Sequence, residues 1–106
     1  MPSLPPDRQT PATRMARHAW AVDRLWEGLI ASDDARWARG LAVLSDTPLP
    51  FSSATTAPRY ARELRALARA QVDTRTTTNF DDRGVAYGEM LVRCAGCHSS
   101  LRVTSR

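Results

Sequence analysis

Apolar residues recur at steps of three and four along four separate blocks of this chain, a spacing that puts them on one face of a helix in each block. In the first block, Thr13 to Ala31, the stripe is Met15, His18, Val22, Leu25 and Leu29. Thr13, or Thr10 ahead of Pro11, is positioned to cap its start. After Ser32 the pair Asp33-Asp34 opens a second helix that repeats the spacing with Trp37, Leu41 and Leu44, and Pro48 and Pro50 stop it. A connector from Leu49 to Thr56 follows, and Pro58 fits the first turn of a third helix carrying Tyr60, Leu64, Leu67 and Val72. The run from Thr74 to Thr78 breaks that helix. Asn79, Asp81 or Asp82 then caps a fourth, which passes through Tyr87, Leu91, Cys94 and His98.

A chain of 106 residues has material for one modest core. Ala, Leu and Arg dominate, β-branched residues are thin and Gly is scarce, so the predicted class is all-α. Short links join helices one and two and helices three and four, which makes each pair antiparallel. The expected assembly is an antiparallel up-down-up-down four-helix bundle, with the C-terminal end of helix four beside the N-terminal end of helix one. Residues 1–11 hold four of the seven prolines. Residues 1–12 therefore read as a flexible Pro-rich tether and 13–106 as the helical domain.

All fifteen basic residues are arginines, against eleven acids, for a net charge of +4. The arginines are spread over every helix as a solvated face and form no block of the kind that binds nucleic acid. No apolar run is long enough to span a membrane. Ser-His-Asp sets, paired inward carboxylates and Gly-rich phosphate loops are all missing from the sequence, so no enzyme activity is expected.

The chemistry sits near the end of the fourth helix, in Cys94-Ala95-Gly96-Cys97-His98. A zinc reading wants two further ligands at finger-like spacing, and the only other histidine is His18. A redox dithiol wants the pair at a helix N-terminus after a strand, whereas this pair follows a long helical segment. Two cysteines one turn apart can instead form thioethers with the vinyl groups of a haem c, and His98 follows at the place from which an imidazole ligates the iron. Small Ala95 and Gly96 suit a backbone pressed against the porphyrin.

With the motif closing the last of four helices, the chain resembles the class II c-type cytochromes, the high-spin cytochromes c-prime and their low-spin relatives. The resemblance implies a four-helix bundle around one haem, attached through Cys94 and Cys97 and ligated by His98. A basic residue four places after the ligand is typical of that family and Arg102 matches it, implying a place beside the proximal imidazole. The family also carries a basic residue early in helix one, which makes Arg14 or Arg17 a candidate contact for a haem propionate.

The expected topology brings the start of helix one across from the haem, and Met15 and His18 lie there one turn apart. His18 is the preferred sixth ligand, because Met15 is close to the helix end, where fraying weakens a bond. Met15 is the alternative and the choice that family analogy favours. Met90 lies about 12 Å along the axis from His98 and reads as core. Trp20, Trp26 and Trp37 also read as core. Gly84 and Gly88, one turn apart, leave room for the haem, for another helix, or for a contact between subunits.

The leading functional reading is a mono-haem electron carrier serving an unidentified redox partner protein, as a monomer or homodimer. The alternatives are a five-coordinate haem protein that binds NO or CO, and a haem module of a larger redox complex. Bacterial haem c attachment takes place outside the cytoplasm, so a periplasmic or other extracytoplasmic location is expected. The opening residues have no apolar core of a signal peptide, which implies that a leader or anchor has been removed.

Overall fold

The computed structural model describes residues 11–46, 57–73 and 79–105, with side chains for 15–46, 58–72 and 79–99. These residues form four helices and no strand: α1 (Pro11–Ile30), α2 (Asp34–Asp46), α3 (Ala57–Asp73) and α4 (Phe80–Ser105). The expected all-helical class is what the chain adopts. The tether through residue 10, with Thr10, the connector from 49 to 56 and the run from 74 to 78 lie outside the described residues, as does the side chain of Thr13.

The helix ends follow local chemistry. α1 starts at Pro11, two residues before Thr13, at the position where a missing N–H costs nothing. It stops where Ser32 turns left-handed, with φ 51°. That turn lets the Asp33 N–H donate to the Gly28 carbonyl at 3.0 Å, the six-residue closure of a Schellman cap. Asp33 then caps α2, its Oδ1 accepting the Arg36 N–H at 3.1 Å. Of the three candidate caps for α4, Asn79 is the one used: its Oδ1 accepts the Asp82 N–H at 2.8 Å. Asp81 and Asp82 are left in the first turn, where their charge favours the helix dipole.

Two glycines set the α1–α2 spacing. A β-carbon on Gly28 would lie 2.7 Å from the Trp37 backbone nitrogen, and one on Gly40 would lie 2.7 Å from the Ala21 carbonyl oxygen. The end of α1 thus meets the start of α2, and the pair is antiparallel. α3 and α4 are antiparallel as well, with Arg93 bonded to Glu63 and Gly96 against Tyr60. Arg83 of α4 pairs with Asp34 of α2, so those two helices start at the same end. Together these contacts describe an up-down-up-down bundle.

The core runs from Trp20, Leu25 and Leu29 through Trp37, Leu41 and Leu44 to Leu64, Ala68, Ala86 and Met90. Leu25, Leu44 and Met90 are fully buried, and Met90 is core as its sequence position indicated. Two arginines are buried beside tryptophans: Arg24 lies 5.2 Å over Trp20, and Arg83 lies 5.3 Å over Trp37. Their stems fill core space while their charges meet Glu27 and Asp34.

Four expectations are corrected. Trp26 is 51 % exposed and lies outside the core, while Val72 and Leu91 leave their stripes for the surface. Of the neighbours expected of Gly84 and Gly88, the second helix of the same chain is not met among the described residues, since a β-carbon on either glycine would find nothing within 4 Å. The cause for Trp26 and Leu91 is shared. α1 packs on α2, α2 on α3 and α3 on α4, but α1 and α4 touch at few points, among them the Trp26 and Tyr87 rings, 6.0 Å apart and tilted by 42°.

Candidate functional site

The loose α1–α4 seam opens into a cleft of about 360 Å³, within the range of about 300–1,000 Å³ usual for small-molecule and cofactor sites. α1 contributes Met15, His18 and Val22 to its walls, α3 contributes Tyr60 and Leu64, and α4 contributes Arg93, Cys94, Cys97 and His98. The lining is mostly apolar. Five residues singled out in the sequence are therefore brought together: both cysteines and His98 on α4, with His18 and Met15 on α1. The start of α1 and the end of α4 meet here because the bundle alternates in direction.

The helical repeat explains the α4 wall. Cys94 and Cys97 are three residues apart and continue the inward line of Ala86 and Met90, so Cys97 is buried and Cys94 packs against the core. His98 falls at the edge of that line and is exposed. Both cysteines are unbonded thiols. Burial pushes the Cys94 thiol above its ordinary range, reinforced by the neighbouring Cys97, and burial alone pushes Cys97 up. Both are protonated at neutral pH. A redox dithiol needs the opposite, a thiolate stabilised by a helix N-terminus or a cation.

His18 is half-buried, and burial holds its imidazole below the usual 6.5, with the positive ends of His98 and Arg17 acting in the same direction. The neutral form is the one that binds a metal. Among the described residues, no group of three or more His, Cys, Asp or Glu side chains converges on a point that could hold a bare metal ion. The thiols and imidazoles are instead distributed around a cleft, an arrangement that suits a larger group held at several of its atoms.

Gly96 has a different neighbour from the one expected of it. A β-carbon there would lie 2.6 Å from Tyr60 Cε1, and Gly96 does not line the cleft. Its small size serves the approach of α3. Arg17 is half-buried and also off the cleft lining. The side chains of Arg14 and Arg102 lie outside the described residues.

Tyr60 and Arg93 are among the lining residues that the sequence does not single out as part of a site. In the sequence Tyr60 belongs to a helical stripe and Arg93 to the dispersed, solvated charges. Arg93 lies at the cleft with its guanidinium held by Glu63 Oε1 at 3.2 Å and by Glu89 on its own helix. Its place immediately before Cys94 was the available signal. No helix among the described residues is long and apolar enough to cross a membrane. No family model, curated protein or solved structure matches this chain.

Proposed function

We propose that this chain is a mono-haem c-type cytochrome that transfers electrons outside the cytoplasm. The observation that carries the reading is the meeting of Cys94, Cys97 and His98 on one wall of an apolar cleft with His18 and Met15 on the facing helix. Cys94 and Cys97 would hold the cofactor through sulfur, His98 would give the proximal nitrogen, and His18, with Met15 as alternative, would close the sixth position from α1. A haem c so bound supplies a one-electron iron couple, whose potential follows from the axial ligands and from burial.

The donor set fits that group. Thioether attachment needs two cysteines about one helical turn apart and a histidine directly after them, and this is the spacing on α4. The residues around them serve the same end. Val22, Leu64 and Leu91 give the cleft apolar walls that exclude water, and burial keeps the His18 imidazole neutral. Tyr60, lodged against Gly96, fixes α3 behind the attachment segment. An extracytoplasmic location belongs to the same proposal, because bacterial haem c attachment takes place outside the cytoplasm.

The test is expression of the chain together with bacterial haem-attachment machinery, followed by mass spectrometry and a visible spectrum of the denatured protein. A haem that stays covalently bound in the wild type, and is lost in the Cys94→Ala/Cys97→Ala double variant, is the expected result. A chain that leaves the machinery without covalent haem would overturn the proposal.

A further inference from the structure

The arginines are dispersed in the sequence, but their pairing in the structure is uneven. Arg24, Arg36, Arg59, Arg83 and Arg93 each meet a carboxylate. Arg62, Arg65 and Arg69 of α3 have no carboxylate partner among the described residues. Steps of three and four place them on one face, within about 60° of one another at roughly 100° per residue. Arg62 and Arg69 are exposed and Arg65 is half-buried. Glu63 stands on the other flank, where it takes Arg59 at 3.0 Å and Arg93 of α4 at 3.2 Å. α3 is thus neutralised towards α4 and left positive towards α2, where the Arg69 Nε donates to the Ser45 carbonyl at 3.0 Å. The α2 side of this groove is made of small residues. Arg36 and Gly40 turn to α1, so the helical repeat puts Ala38, Ala42 and Ser45 on the flank towards α3, and both alanines are exposed.

We infer that the α2–α3 groove docks a helix of a partner protein that carries Asp or Glu at the same steps of three and four. Carboxylates so spaced meet the guanidinium row one for one, and each can accept a pair of parallel N–H bonds. Ala38 and Ala42 let the partner's backbone approach, and Val72, 48 % exposed at the end of the row, adds an apolar contact. Complementary charge of this kind selects the partner and fixes its register. Other polyanions suit the groove less well. A membrane surface is held by basic residues together with a broad apolar face, whereas only Val72 and two alanines stand here. Single-stranded nucleic acid is held by aromatic stacking as well as by charge, and the row has no aromatic residue on its face. The inference does not rest on the haem reading, since Tyr60, Ala61 and Leu64 are the α3 residues that line the cleft and the three arginines do not.

Fluorescence anisotropy of the full chain with labelled peptides tests it. One peptide of about 20 residues, long enough to hold a helix, carries glutamates in a row at steps of three and four. A second has the same composition with the glutamates distributed round the helix. The row peptide is expected to bind, less tightly as salt is raised, and the distributed one to bind roughly tenfold more weakly. Arg62→Gln/Arg65→Gln keeps the Arg69 bond to Ser45 and should lower the affinity for the row peptide roughly tenfold, since two charge pairs at the surface are lost. Arg59→Gln removes a charge from the opposite flank and should leave it within about twofold, with circular dichroism confirming that both variants keep their helices. A row peptide that does not bind, or binds no better than the distributed one, would overturn the inference. So would a double variant that binds like the wild type, or an equal loss in Arg59→Gln. Tighter binding to a DNA duplex or to phosphatidylglycerol vesicles than to the row peptide would overturn it as well, by assigning the row to another polyanion.

Discussion

The ring of Tyr60 lies so close to Gly96 that a β-carbon at position 96 would come within 2.8 Å of three of its atoms. Gly96→Ala should therefore destabilise the fold by about 1–2 kcal/mol, the usual cost of forcing a packed side chain to move. Tyr60→Ala in the same chain should remove most of that penalty. A double-mutant cycle from denaturant unfolding measures the coupling, and strictly additive losses would show that the two residues act independently.

Glycines at the α1–α2 contact and on the α4 surface should respond in opposite senses. Gly28→Ala and Gly40→Ala place a methyl against backbone atoms that cannot rotate away, so each should cost about 1–3 kcal/mol despite better helix propensity. Gly84→Ala meets nothing and should stabilise α4 by about 0.5–1 kcal/mol. Thermal unfolding of the three variants beside the wild type would compare them.

Ser32 holds a left-handed conformation, with φ 51°, that costs an L-residue about 1 kcal/mol or more. Ser32→Gly should relieve that cost and raise stability by about 0.5–1 kcal/mol, the gain being reduced by the greater freedom of glycine in the unfolded chain. Loss of stability on this change would mean that the Ser32 side chain supplies more than its backbone conformation costs.

Burial, with the charges of Asp23 and Cys94, raises the Tyr87 phenol above its ordinary value of 10.0. The folded chain then holds this proton where the unfolded chain has lost it. The resulting stability is present below pH 10.0 and is lost as the pH rises through the higher native value. In a Tyr60→Phe background, phenolate absorbance should report a midpoint above 10.0 for Tyr87. Tyr87→Phe should flatten the alkaline fall in stability, and a midpoint at or below 10.0 would contradict the burial account.

If the chain carries the proposed haem, absorption spectroscopy reads which residue supplies its sixth ligand. A low-spin spectrum that resists CO is expected of the wild type. His18→Ala should shift it towards high spin and admit CO, while Met15→Ala should leave coordination nearly unchanged. The reverse pattern would assign the ligand to Met15, and a resting high-spin form that takes CO readily would favour gas binding.

Much of this architecture was legible because it depends on local chemistry. The Asp33 and Asn79 caps, the stops near residues 46 and 73 and the inward line of Leu25, Leu29, Leu41 and Leu64 all follow from spacing and turn residues. The closeness of His18 to the cysteine motif followed from topology. What could not be read depends on how each helix is rotated against its neighbours. Periodicity assigns Leu91 to a stripe and sheer size assigns Trp26 to the core, but only the open α1–α4 seam decides that both meet solvent. Likewise Arg93 becomes a wall of the cleft, and Arg24 and Arg83 become core, through neighbours remote in sequence.

That seam separates the parts of the molecule that can vary from those that cannot. Close glycine contacts and the central leucines join α1 to α2, and α2 is absent from the cleft lining. Positions such as Val22 and Leu91 line the cleft where the helices scarcely touch. Re-engineering of the site therefore has its widest latitude there, and a library confined to those positions samples new chemistry with little loss of folded protein.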